Sequence, residues 1–491
     1  MKIGSKILKG SALLSLGQIV GYGATFVRNI ILARVLSKSD FGIAAALSIT
    51  ITAFELSGKM SIGQQVVQAK DGDNEDFQAT AHLCQFLAGC CGALLIAAFG
   101  GPMADLFKVP QARWAFMVVA LLGLTKGLEH LDVTRRTRFL SFTKRVVLDV
   151  VPDVLVAAAA LPVVLWLKDY RAVVWLLLAK AVLYLALSHL LAERPYRWKL
   201  NRDYAKGILI FGWPLVINAL LMFGYQQGDQ LLIGANYSMA ALAQYSLAVS
   251  ITMIPGYMFQ SVLNSMMLPL LSQVQDDPDK YRHRYVFCAE LATVVGVLLA
   301  CFLILGGELV IVTAFGQKYA GSGAIVGWLA VANAFRIIRS VSSSAAMARG
   351  DTVNNMVSNL FRVSSLGLAA LAIFYKEPII WVAACGLCGE ILAMGASWHR
   401  LSKKCGIPVW VGLKSAGAGG ILIAFSAILM AGGTSHSSWP VTVLICVVAC
   451  STAFLLMWRL FGELRRHTLE VLGNSPAISL FVRLLDRCGS S

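Results

Sequence analysis

The stretch FVRNIILARVLSKSDFG, Phe26–Gly42, decides how the chain is read. It follows the apolar run SALLSLGQIVGYGAT, Ser11–Thr25, so a helix begun near Ser11 reaches Ala33 with Arg28 as its one charge. About 20 apolar residues cross roughly 30 Å of hydrocarbon, and the run 11–33 is long enough. Lys2, Lys6 and Lys9 precede it as in a secretory signal, but the run is longer than a signal's apolar region and no small-residue cleavage site follows. It reads as a retained first span. LSKSD is then a polar turn, and the apolar character resumes at Phe41. The unit is a span, a turn and a second span.

The same texture continues to nearly the last residue. The 491 residues are 57% hydrophobic and 14% charged, whereas soluble proteins average about 25% charged residues. Apolar segments fall at 11–33, 41–66, 81–100, 114–131, 146–166, 172–192 and 207–235. They continue at 241–270, 286–305, 322–345, 353–374, 379–398, 411–431 and 439–461. Within hydrocarbon every backbone amide must be satisfied locally, which selects helices. The expected fold class is therefore an all-α polytopic membrane protein of about fourteen spans.

The net charge of +16 is explained by topology rather than by nucleic acid. Lys and Arg concentrate in alternate loops, as in Arg135–Arg136–Arg138, Arg194–Arg197–Lys199, Lys280–Arg282–Arg284 and Arg400–Lys403–Lys404. The opposite loops hold few, among them Lys108, Arg113, Lys168 and Lys376. Basic loops stay in the cytoplasm, so both termini are expected inside. The longest outer connection is expected around Gly306–Gly321. Cysteines lie mostly in apolar runs and read as small buried hydrophobes. Cys385 and Cys388 form a CxxC without a second pair or a histidine cluster, so no metal or redox site is expected.

At an offset of 201 residues the opening stretch meets a second copy of itself. QGDQLLIGANYSMAALA, Gln227–Ala243, sets Asp229 under Arg28, Ile233 under Leu32, Gly234 under Ala33 and Ser238 under Ser37. Six spans separate the two copies, so both enter the membrane the same way up, as in transporters built from parallel repeats. Pro214, Pro255 and Pro269, with Gly212, Gly224, Gly228 and Gly234, mark the seventh and eighth spans as candidates for bent, cavity-lining helices.

Charges inside spans are costly, about 2.5–3.5 kcal/mol each on insertion scales, and mark sites. Lys126, Lys180 and Glu290 lie near span ends and can reach the interface. Arg28, Asp229, Arg336, Arg339 and Arg362 cannot be dismissed in that way. Asp229 follows the polar string Tyr225, Gln226 and Gln227; Arg336 and Arg339 share a helix face with Asn333; Arg362 continues Asn354, Asn355 and Asn359. Glu55 and Lys59 are an i,i+4 pair. Structural pairing, such as Arg28 with Glu55 or Asp229 with Arg362, is one reading. A wet cavity is the other: four arginines against one aspartate call for an anionic guest, and the guanidinium fork suits phosphate oxygens.

The span–turn–span unit, the basic N-terminus and the seventh-span string FGWPLVINALLMFGYQQGDQLLIG resemble the lipid-linked oligosaccharide flippases, the polysaccharide-transport (Wzx-like) branch of the multidrug/oligosaccharidyl-lipid/polysaccharide exporter superfamily. The resemblance implies an N-lobe of spans 1–6 (1–200), a C-lobe of spans 7–12 (201–400), two further spans (401–461) and a cytoplasmic tail (462–491). It implies residence in the bacterial inner membrane and alternating access for a polyprenyl-pyrophosphate-linked glycan. Glycosyltransferases would make this substrate, and a polymerase with a chain-length regulator would consume it. Arg28, Gln226, Asp229, Arg336, Arg339, Asn359 and Arg362 are the candidate substrate-binding residues. Asp229 and Glu55 are the candidates for coupling to a proton or sodium gradient; no other cofactor is expected.

Two rivals stay within the superfamily: a flippase for a lipid II-type peptidoglycan precursor, and an exporter of cationic drugs. The arginine excess argues against the second. A polytopic enzyme such as a polymerase or ligase would need a sizeable outer loop and a catalytic grouping, and neither a Ser/His/Asp set nor HExxH occurs. The segment RLFGELRRHTLEVL is amphipathic and expected to lie along the inner interface.

Overall fold

The computed structural model describes residues 3–57, 62–351, 353–431 and 439–472, and all regular structure among them is helical. In chain order the helices begin with α1 (Ile3–Val35), α2 (Lys38–Ser57), α3 (Ile62–Gln68), α4 (Glu75–Leu106), α5 (Arg113–Val118) and α6 (Leu121–Gly127). Then come α7 (Asp132–Thr137), α8 (Thr143–Leu167), α9 (Arg171–Leu190), α10 (Arg202–Asn236), α11 (Met239–Ser272) and α12 (Pro278–Phe315). The last six are α13 (Gly323–Ala348), α14 (Val353–Phe374), α15 (Ile379–Cys405), α16 (Val409–Ala431), α17 (Trp439–Leu460) and α18 (Gly462–Leu472). Among the described residues eleven helices, α4 and α8 to α17, are long and apolar enough to cross a membrane. The expectation of an all-α polytopic membrane protein therefore holds.

Two segments differ from the sequence reading. The span expected at 114–131 is not one helix: α5 ends at Val118, α6 begins at Leu121, and the chain leaves helix again at Leu128. The expected outer loop at Gly306–Gly321 is mostly helix, because α12 continues to Phe315. Only Gly316 (φ +103°) and Gly321 (φ +88°) then take the left-handed backbone that glycine tolerates.

The chain divides into two compact units, one of Met1–Leu247 with Ala314–Lys318, the other of Ala248–Thr313 with Tyr319–Ser491. In the first, helices approach through small residues, the usual device where no hydrophobic effect drives helices together. A Cβ on Gly89 would lie 2.5 Å from the Gly127 Cα and 2.6 Å from the Gly123 oxygen, so α4 and α6 touch backbone to backbone. Both span–turn–span copies lie here, and their boundaries repeat at the 201-residue offset: helices end at Val35 and Asn236 and restart at Lys38 and Met239. Ser37 Oγ accepts the Asp40 N–H at 3.0 Å, and Ser238 Oγ accepts the Ala241 N–H at 3.2 Å. Each serine caps the helix that follows it. The copies also meet each other, since a Cβ on Gly42 would fall 2.0 Å from the Met239 carbonyl oxygen.

In the second unit α12 carries buried Tyr281, Tyr285, Cys288 and Ala292 into one apolar cluster with α11 and α13. Its outer part forms another cluster with α16 and α17 that takes in Phe461 and Leu464. Glu290, which the sequence suggests could reach the interface, is instead 5% exposed and accepts the Leu464 N–H at 2.7 Å. A carboxylate at a helix N-terminus satisfies an orphan donor and meets the positive end of the dipole. His283 and Phe287 of α12 contact Glu463 and His467 of α18. The amphipathic tail segment thus packs on its own unit through Glu463, Leu464 and His467.

Candidate functional site

Polar groups inside the second unit converge on one carboxylate. Arg336 and Arg339 stand three residues apart on α13, Arg362 comes from α14 and Glu390 from α15. Arg336 Nε lies 2.7 Å from Glu390 Oε1, Arg362 Nη2 2.7 Å from the same oxygen, and Arg339 Nε 3.6 Å from Oε2. The four side chains are between 3% and 14% exposed. Three guanidiniums therefore converge on this glutamate, and the four side chains together carry more positive than negative charge. A buried ion pair barely repays its desolvation even when matched one to one. An uneven group of this kind is explained better by a guest than by stability.

The helices hold this group firmly. A Cβ on Gly389 would meet Ser365 Oγ at 2.6 Å and the Arg362 carbonyl oxygen at 3.1 Å, so α15 sits directly against the turn bearing Arg362. Asn354 donates to the Ser397 carbonyl at 3.1 Å and accepts from Ser397 Oγ at 2.7 Å, a reciprocal clamp between α14 and α15. Asn333 Nδ2 donates to the Thr252 carbonyl at 2.8 Å, tying α13 to α11. Asn359 lies half-buried one turn before Arg362.

Arg339 also lines a cavity of about 220 Å³ with Gln260, Ser340, Ser343, Ser344, Met347 and Asn355. At about 30 Å³ per water it has room for a hydrated phosphate. Ser343 Oγ and Arg339 Nε are buried there without a hydrogen-bond partner among the described residues. Such groups are costly unless something else satisfies them. The serines and Gln260 were not singled out from sequence, although a signal existed: 336, 339, 340, 343, 344 and 347 follow the i, i+3, i+4 pattern of one helix face.

The first unit holds the remaining candidates in two places. Arg28 on α1 is half-buried; its Nη2 reaches Asn29 Oδ1 at 3.4 Å and its Nε is buried without a partner among the described residues. Asp153 on α8 is the carboxylate whose charge acts on it, and Asp153 is held in turn by Lys180 at 2.5 Å. Lys180 thus takes part in this group rather than only reaching for an interface. Lys126 pairs with Glu129 at 2.9 Å and lies over the Tyr184 ring. Asp229 belongs to a different network, where Tyr245 Oη donates to its Oδ2 at 2.6 Å and the Gln230 N–H to its Oδ1 at 2.8 Å. Gln230 bonds Gln227 and Ser246, and Gln226 bonds Tyr225. Glu55 falls in α2, but its side chain and the whole of Lys59 lie outside the described residues. No group of metal-ligating side chains occurs among the described residues, and Cys385 and Cys388 are unbridged.

Comparison with known proteins sets this geometry in a family. A family model described as "Polysaccharide biosynthesis protein" matches residues 31–324. The succinoglycan biosynthesis transport protein ExoT of Rhizobium meliloti (strain 1021) is 24% identical over 320 residues, and the match spans 63% of this chain and 63% of that protein's length. Among solved structures, the lipid II flippase MurJ in an inward closed conformation has a similar fold, with a TM-score of 0.71 at 12% identity over 92% of this chain and 99% of that one. An inward-facing multidrug resistance MATE transporter of the MOP superfamily gives 0.64 at 13% identity, covering 86% and 96%. By their names these relatives are a transport protein, a flippase and a multidrug transporter. The chain belongs to the polysaccharide biosynthesis protein family, matched over more than half its length, and shares its fold with the solved flippase and multidrug transporter.

Proposed function

We propose that the protein flips a polyprenyl-diphosphate-linked oligosaccharide repeat unit across the bacterial inner membrane for surface or secreted polysaccharide, by alternating access. The observation that carries this reading is the convergence of Arg336, Arg339 and Arg362 on Glu390, beside a cavity lined by serines. A diphosphate supplies the missing negative charge and enough acceptor oxygens for two guanidinium forks. Translocation needs no bond made or broken, only a polar refuge for phosphate and sugar while the polyprenyl chain remains in lipid. Arg28 of the first unit is a further proposed contact to the anionic group, with Gln226 and Asn359 as neutral contacts to sugar. Asp229 is the group proposed to exchange a proton or meet a cation, together with Glu55. Termini in the cytoplasm, lobes at 1–200 and 201–400, two further spans at 401–461 and a tail at 462–491 complete the reading. The partners it supposes are glycosyltransferases inside and a polymerase with a chain-length regulator outside.

A peptidoglycan-precursor flippase is the second reading, favoured by the greater fold likeness to the lipid II flippase, 0.71 against 0.64 for the multidrug transporter. Its substrate shares the polyprenyl diphosphate and differs in the sugar and peptide. The cationic cluster speaks against a cationic drug as substrate. The test is reconstitution in vesicles bearing either fluorescent polyprenyl-diphosphate oligosaccharide or fluorescent lipid II, with leaflet exchange followed by a membrane-impermeant quencher. Exchange of the oligosaccharide lipid, lost in Arg339→Gln and Arg362→Gln, supports the first reading. Exchange of lipid II alone replaces it with the second, and exchange of neither overturns both.

A further inference from the structure

A separate groove runs between α14 and α15 on the second unit, with a volume of about 620 Å³. Its walls are apolar and uncovered by the described residues: Phe361 is 42% exposed, Ile391 45% and Leu392 48%. Gly395 continues the stripe one turn after Ile391, and a Cβ added there would meet nothing within 4 Å, so the furrow stays open along its length. On a helix that faces lipid such a furrow is filled by hydrocarbon chains.

One end of the furrow is basic, lined by His399, Arg400, Lys403 and Lys404. The Arg400 fork is already committed, bidentate at 2.7 and 2.8 Å, to Asp351, whose carboxyl this contact holds below its ordinary pKa. Lys403 and Lys404 have no ion-pair partner among the described residues. Nearby, Trp410 is 56% exposed at the start of α16, with Arg282 lying 5.2 Å over its ring. Tryptophan at a helix end beside basic groups marks headgroup depth. We propose that this groove is a binding site for an anionic phospholipid, its acyl chain along Phe361, Ile391 and Gly395 and its phosphate between Lys403 and Lys404.

Two features favour a bulk phospholipid over the polyprenyl-diphosphate substrate. The cations that make no ion pair among the described residues are lysines, of which Lys404 also acts on Asp351 at longer range; they are compact charges on mobile stems that suit a phosphodiester of variable geometry. The residue suited to bidentate phosphate recognition, Arg400, is occupied. Basic pockets between membrane helices recognise anionic headgroups in this way.

The experiment uses the full chain in nanodiscs, with retained lipid counted by native mass spectrometry and exchange measured against labelled phosphatidylglycerol and phosphatidylcholine. The wild type is expected to retain phosphatidylglycerol in preference. Lys403→Gln/Lys404→Gln should weaken that retention about thirty-fold, and raised salt should mimic the variant. Gly395→Leu, which fills the furrow and leaves the charges, should lose the lipid as well, whereas Lys376→Gln should not. Equal retention of both lipids by the wild type, or unchanged retention in the double lysine variant, overturns the proposal. Stoichiometric displacement of the phospholipid from this groove by polyprenyl diphosphate overturns it in favour of a substrate dock.

Discussion

The hairpins at 26–42 and 227–243 share length, turn and serine cap, yet they treat their charged residue in opposite ways. In an antiparallel hairpin, residues equally far from the turn lie side by side. Opposite Asp229 stands Tyr245, whose hydroxyl bonds it at 2.6 Å, and Ser246 stands beside Gln230 at 2.8 Å. At the matching positions of the first hairpin are Ala44 and Ala45. Among the described residues Arg28 thus has only a long contact to its chain neighbour Asn29 and the charge of Asp153. One copy has been closed into a structural network while the other has been left available. The proposal that Arg28 meets a guest rests on what the scaffold declines to neutralise, not on the presence of a charge.

That contrast can be broken by experiment. Arg28→Ala should abolish polysaccharide export at normal membrane abundance while shifting thermal stability by less than about 0.5 kcal/mol; wild-type polymer output, or a protein that fails to fold, would sink the idea that Arg28 serves a guest. Glu390→Gln removes the carboxylate on which three buried guanidiniums converge and should cost roughly 3–5 kcal/mol of stability, measured by thermal unfolding in detergent. Part of that loss should return when a soluble diphosphate is added, and no such recovery would mean that the cluster holds no anion. Tyr245→Phe removes a hydrogen bond to a charged group and should cost about 1.5–3 kcal/mol, a loss with no counterpart in Ala44→Ser. Ser37→Ala and Ser238→Ala should each cost about 1 kcal/mol. Clearly unequal losses would argue that the two turns are not the same motif. Lys126→Ala should change stability and export least, because its partner Glu129 holds it on a half-exposed surface.

The fold was legible because its signals are local. Run length, the polar turn at LSKSD and the serine caps all lie within a few residues of the helices they define. The broken fourth segment was less so, because the close contact of Gly89 with Gly123 and Gly127 joins residues distant in sequence. At the site, Arg336 with Arg339 could be read from spacing, and so could the serine face that was passed over. What could not be read was that three arginines share Glu390, since that depends on how α13, α14 and α15 pack. The hydroxyl of Tyr245 was hidden for a different reason: its significance appears only when the hairpin is folded about its turn.

Glu290 has a practical corollary for anyone engineering the protein. Because this buried carboxylate is satisfied by the backbone of Leu464, shortening the chain ahead of Gly462 would leave an acid inside the bundle with no donor. A purification tag or fluorescent fusion should therefore be joined beyond residue 472. Deletion mutants that stop near Leu460 should be judged first as folding mutants, whatever they do to export.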